Sequence, residues 1–247
     1  MIRSFLPLLV AVLGVSAHAA DFNNPPPASP IMDPAKEGQE LAAKLRSFAP
    51  VENSEFSGTL EITPRDGRPQ FIPITSRLIL GPTNWQVFYH SAPTNGATAE
   101  TLVITRGPNR TNIYQVSLGT NLPAAAALTH PFAGSDFWAL DLGLDFIHWP
   151  QQHAIRSEMS LGRPCRVLQS VTQHPAPGGY SRVLSWVDLE TGGVIQAEAY
   201  DAQNKPLKKF RLGSFGKVAG QWQLRDMKIR NTQTRRETDL KFDLKTK

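Results

Sequence analysis

The chain has 247 residues and a formal net charge of +5, from 26 Lys and Arg against 21 Asp and Glu. Its one cysteine, Cys165, excludes an internal disulfide, so an apolar core must supply the stability. The basic residues of the last third (Lys205, Lys208, Lys209, Arg211, Lys217, Arg225, Lys228, Arg230, Arg235, Arg236) alternate with apolar ones, the pattern of a solvated sheet face. Nucleic acid is not expected of a chain that carries an export signal, and a weak peripheral attraction to anionic lipid heads stays open.

Residues 1–19 read as a secretory signal. Arg3 supplies the positive start, Phe5 to Val15 the apolar stretch, and Ala17-His18-Ala19 the small residues of a cleavage site after Ala19. The alternative, an uncleaved N-terminal anchor, has no stop-transfer pattern behind it. Residues 20–32, with Pro25, Pro26, Pro27 and Pro30, read as an extended tether. A single domain is expected over 33–247.

Asp33-Pro34 opens a helix, Asp as cap and Pro at the first helical position. Leu41, Leu45 and Phe48 repeat at helical spacing, so this helix should lie apolar side down on a sheet. From residue 55 the period becomes two: Phe56, Leu60 and Ile62 point one way, Glu55, Ser57, Thr59 and Glu61 the other. Asp66-Gly67 turns the chain into a strand with Ile72, Ile74, Leu78 and Leu80 on one face. Pro73 suggests an edge or a bulge. Gly81-Pro82 leads to a strand at 85–89, and further strands follow at 101–105 and 111–118.

The alternation then stops. Residues 122–150 form an insertion: an alanine-rich start, a helix signal at Ser135-Asp136, then Phe137, Trp138, Leu140, Leu142, Leu144, Phe146, Ile147 and Trp149. This is the densest apolar stretch after the signal and is too short to span a membrane. Strands resume at 156–161, 164–172 and 180–189, with turns at Pro177-Gly178-Gly179, Gly192-Gly193 and Gln203-Asn204. Trp222 and Leu224 lie on the opposite parity to Met227 and Ile229, which predicts a bulge near Arg225-Asp226.

The expected architecture is mainly β (α+β): a curved antiparallel half-barrel of about 11–12 strands, with an N-terminal helix and a helical lid at about 122–150. A sheet this large must curl to protect its edges. The lid's inner face would be Phe137, Trp138, Leu142, Phe146 and Trp149. Candidates for the apolar wall are Phe56, Leu60, Leu78, Leu80, Trp85 and Trp186. A cavity between them would shelter acyl chains at roughly 0.8 kcal/mol for each methylene buried.

Catalytic signatures are lacking. There is no Gly-x-Ser-x-Gly elbow and no phosphate loop, so neither an enzyme nor a cofactor is expected. His148 and His153 do not share a helix face, and Asp136, Asp141 and Asp145 lack the spacing of a calcium loop, so no metal is expected. The three aspartates read as the polar face of a surface helix. Cys165 reads as a half-buried strand thiol, and Asn109-Arg110-Thr111 matches a glycosylation sequon by chance as readily as by design.

A family resemblance rests on Gly134-Ser135-Asp136-Phe137, on Gly162-Arg163-Pro164-Cys165-Arg166-Val167-Leu168, and on Tyr180-Ser181-Arg182-Val183 with Trp186-Val187-Asp188. It continues through Glu198-Ala199-Tyr200-Asp201, Leu207-Lys208, Lys217-Val218-Ala219-Gly220-Gln221-Trp222 and Met227-Lys228-Ile229. In these the C-terminal half resembles the LolA-like, outer-membrane lipoprotein-sorting proteins, most closely the branch named after an uncharacterised treponemal protein. The resemblance implies a lidded half-barrel in the periplasm that carries lipid or lipoprotein acyl chains. The same fold also serves as a sensor or adaptor that grips a protein partner in the envelope. Transport members carry an arginine before a proline in the turn after an early strand. Gly81-Pro82 stands at that turn here, which implies a different lid attachment.

Overall fold

The computed structural model describes residues 30–92, 98–108, 110–218 and 221–244. The signal, most of the tether and Asn109 of the sequon lie outside the described residues.

Helix α1 (Pro34–Ser47) begins as its sequence dictates: Asp33 accepts a hydrogen bond from Lys36 N at 3.0 Å, and Pro34 occupies the first turn. Fourteen strands follow among the described residues: β1 (Ser54–Thr63), β2 (Gln70–Leu80), β3 (Trp85–Ser91), β4 (Glu100–Arg106), β5 (Ile113–Ser117), β6 (Gln151–Ser160), β7 (Arg163–Val171), β8 (Arg182–Asp188), β9 (Val194–Tyr200), β10 (Pro206–Leu212), β11 (Phe215–Val218), β12 (Gln221–Leu224), β13 (Asp226–Asn231) and β14 (Glu237–Phe242). Between β5 and β6 lie α2 (Ala124–Ala127) and α3 (Ala139–Gly143), with 3-10 turns at 132–134 and 145–148.

Twelve strands make one antiparallel sheet, ordered β5-β4-β3-β2-β1-β14-β13-β10-β9-β8-β7-β6, and β11 and β12 pair as a separate ribbon. The end strands β5 and β6 do not meet, so the sheet is a half-barrel. The β1–β2 hairpin turns at Gly67, whose φ of +133° only glycine adopts readily. Pro73 sits where pairing between β2 and β3 ends: its carbonyl accepts from Ala92 N at 3.0 Å. The parity change near residue 225 is a full break between strands, not a bulge. Arg225 leaves the β11–β12 ribbon, and β13 enters the main sheet on the other phase.

Cross-strand register defines one continuous lid-facing side, because directly paired residues point the same way. From the β5 end it runs through Leu102 and Ile104, Val87 and Tyr89, Ile74 and Leu78, Leu60, Leu240, Met227 and Ile229, then Phe210, Ala197, Ser185 and Leu168. Most of these are buried. Helix α1 covers the β6 end of this side, packed on β6, β7 and the 145–148 turn. The approach is close at Gly38, where a Cβ would stand 2.5 Å from the Gln152 backbone. Arg166 on β7 ties the helix down through Glu37 at 2.6 Å.

Candidate functional site

The lid is not one helix. Ala133 (φ 50°), Gly134 (φ 67°) and Leu144 (φ 50°) break it into short pieces. Backbone hydrogen bonds such as Phe132 N to Phe137 O at 2.9 Å and Leu140 N to Leu128 O at 3.1 Å fold these pieces on one another, and polar side chains tie them to the sheet.

Three aspartates, Asp136 buried and Asp141 and Asp145 half-buried, carry those ties, and none is the solvated helix face expected from sequence. Asp136 is 1% exposed: it faces Arg236 Nε at 3.0 Å, accepts from Thr238 Oγ1 at 2.8 Å, and returns its own N–H to that hydroxyl. Asp141 accepts from Tyr180 Oη at 2.7 Å, Lys208 Nζ at 3.0 Å and Trp138 N at 2.8 Å. Asp145 accepts from Tyr114 Oη at 3.2 Å and Trp149 Nε1 at 3.3 Å, and burial raises its pKa. At the lid's start Glu100 accepts from Ala133 N at 2.8 Å and faces His130 Nε2 at 2.9 Å. Burial raises the Glu100 pKa as well.

Lys208, expected on a solvated face, is 2% exposed. Its ammonium lies 3.4 Å from the Trp138 ring centroid and donates to the Asp136 carbonyl at 2.7 Å. Burial outweighs these partners and pulls its pKa down from 10.5 to about 8. It shares parity with Phe210 and Leu212 on β10, the one sign in the sequence that it points inward.

The expected lid face divides between two apolar clusters. Phe137 and Leu142 enter the main one, which also holds Phe56, Leu60, Leu78, Trp85 and Trp186, five of the expected wall residues. Trp138, Phe146 and Trp149 belong to a second cluster with α1, β8 and β9; Trp138 stacks on Tyr180 at 5.1 Å. Leu80 has the inward parity but stands at a strand end and is 37% exposed. Trp186 is a correction. It pairs with Val167 and Gln196, whereas Ser185 pairs with the lid-facing Leu168 and Ala197, so its ring is on the face away from the lid. There it donates to Glu158 and lies under Arg156.

A cavity of about 20 Å³ lies beneath the lid, lined by Phe137, Phe146, Tyr180, Lys208, Phe210 and Ile229 among others. That is room for about one water, not for an acyl chain. Cys165 is buried, and desolvation pushes its thiol up to about 11, so it stands as an inert strand thiol. Among the described residues no group of three or more His, Cys, Asp or Glu could hold a metal, and no helix is long and apolar enough to cross a membrane.

His148, at the lid's end, has a buried Nε2 with no hydrogen-bond partner among the described residues. Burial, with Arg106 and Arg46 nearby, lowers its pKa from 6.5 to about 4. The unfolded chain therefore takes up this proton first. His148 stabilises the fold fully above pH 6.5, and that contribution is lost as pH falls toward 4. Allowing for its partial exposure, the loss should be roughly 1–2 kcal/mol. Urea melts of wild type and His148→Gln across this interval check it: the variant should lose that part of the slope, and identical slopes would contradict the assignment.

A family model described as "Uncharacterized protein" matches residues 84–245. No curated protein matches the chain. Among solved structures, a DUF1329 family protein from Desulfovibrio piger superposes with a TM-score of 0.70 at 18% identity, over 85% of this chain and 92% of that one. A protein described as an outer membrane lipoprotein-sorting protein domain, from Vibrio parahaemolyticus, gives 0.66 at 17% identity, over 85% and 92%. A LolA superfamily protein from Nitrosomonas europaea gives 0.60 at 15% identity, over 86% and 92%. At such identities the likeness is one of fold.

Proposed function

We propose that this chain, which belongs to the family whose model, described as "Uncharacterized protein", matches residues 84–245, and which shares the fold of an outer membrane lipoprotein-sorting protein domain and a LolA superfamily protein, is a periplasmic, non-enzymatic carrier of lipid or lipoprotein acyl chains, seen in its closed form. The observation that carries the reading is the lid-facing side of the sheet. It is apolar across β1–β4, β13 and β14, and its cover is a broken segment tied by polar side chains. Cargo and lid would compete for the same surface. Phe137 and Leu142 occupy the space an acyl chain would take, and loading would displace them. Each methylene buried in exchange contributes about 0.8 kcal/mol. The export signal and periplasmic location belong to the same proposal.

The test is native mass spectrometry of protein purified from an envelope extract, with uptake of a fluorescent acyl probe by wild type and by Asp141→Ala. Co-purifying lipid, or uptake that rises in the variant, supports a carrier. No lipid and no uptake by either protein would sink it.

The small size of the cavity under the lid favours a second reading, an envelope sensor or adaptor whose lid is permanent core. Its contact surface would be the exposed basic residues of β10, Lys209 and Arg211; Lys208 is too buried to take part. Reversing charge at Lys209 and Arg211 should then cost a protein partner, while a carrier would keep its lipid.

A further inference from the structure

At the lid's start the sheet accepts, Glu100 taking the Ala133 N–H, and the Asp136 N–H donates to Thr238 Oγ1. The side-chain ties of the Asp136 and Asp141 carboxylates run the other way, and there the sheet side supplies donors: Lys208 Nζ, Tyr180 Oη, Arg236 Nε and Thr238 Oγ1. The lid supplies acceptors: the Asp136 and Asp141 carboxylates and the Asp136 carbonyl. Every hydrogen-bond acceptor of Lys208 seen here belongs to the lid, and so does the Trp138 ring against it. A lid that lifts takes its carboxylates away and leaves two cations and two hydroxyls converging on one place. That place adjoins the apolar floor of Phe210 and Ile229.

Resting on the carrier reading, we propose that Lys208, Arg236, Tyr180 and Thr238 form an anion-binding site, that Asp136 and Asp141 fill it in the closed form, and that the cargo is an amphiphile whose carboxylate or phosphate replaces them. A neutral cargo would cover Lys208 with hydrocarbon and give it no counter-charge, and an unpaired buried charge is costly. An anionic head restores the pairing while its chain takes the apolar floor. Burial already outweighs the lid's carboxylates at Lys208, so a site emptied of them would be shorter still of negative charge. Arg236, whose side chain is 36% exposed, places the site where a head group can reach it from solvent.

Binding of palmitate, palmitoyl lysophosphatidate and methyl palmitate, each presented on cyclodextrin and read by tryptophan fluorescence, tests this. At least one anion should bind about tenfold or more tighter than the ester, palmitate naming a carboxylate cargo and lysophosphatidate a phosphate one. Lys208→Gln should abolish that preference from both sides, weakening the anion, which loses its counter-charge, and tightening the ester, which no longer strands one. Should Lys208→Gln not fold, Arg236→Gln, at a partly exposed side chain, and the wild-type ratio carry the test. An ester bound as tightly as both anions overturns the anion site and leaves the carrier standing. Binding of none of the three, by wild type or by the lid-loosened Asp141→Asn, overturns both.

Discussion

Replacing Asp141 by alanine is expected to cost about 3–5 kcal/mol of stability and to unseat the lid. The carboxylate holds three donors at once: Tyr180 Oη, Lys208 Nζ and the Trp138 backbone N–H. Its loss strands an ammonium that is 2% exposed. Lys208 could escape by losing its proton. With its pKa already pulled down to about 8, that step costs only about 1–2 kcal/mol at pH 7, and the rest of the loss comes from the Tyr180 hydroxyl and Trp138 N–H left without their acceptor. Urea melts measure the loss, and hydrogen exchange over residues 135–149 shows whether the lid leaves the sheet. The companion Asp141→Ala/Lys208→Met should recover much of the stability, because no charge is then left unpaired. A loss under about 1 kcal/mol in the single variant, with unchanged exchange, would mean that the pair does not hold the lid.

Phe137→Ala should be comparably destabilising, by about 3–5 kcal/mol, for a different reason. The ring is 1% exposed and packs in the cluster that holds Phe56, Leu60, Leu78 and Trp85. The neighbouring ties of Asp136 to Arg236 and of Asp141 to Lys208 let the lid relax only in part, so a void should remain. A carrier would turn that void into capacity: acyl-probe uptake should rise several-fold while the melting temperature falls. A protein whose lid is permanent core should show the fall without the uptake. The paired readout therefore separates the two functional readings in one variant.

The strands were legible because their signals are local. Alternation over 55–63 and turn chemistry at Asp66-Gly67 and Gly192-Gly193 depend on neighbours within a few residues, and the sheet forms where they say. Helix α1 was legible for the same reason, from Asp33-Pro34. Trp186 was misplaced because β8 buries both its faces, which removes the alternation that would orient it. The lid's form was missed because its apolar density predicts burial and not backbone path. The backbone turns at Ala133 and Leu144, two residues with no intrinsic preference for positive φ.

The sequence by itself determined an antiparallel sheet, its turns, a capped helix and an apolar insertion, since each depends on contacts close along the chain. Only the tertiary structure decided what became of the charges. Lys208 meets Asp141, and Arg236 meets Asp136, across 67 and 100 residues. A carboxylate in an apolar run is tolerable only when a distant strand brings it a cation, and spacing along a chain does not encode that meeting.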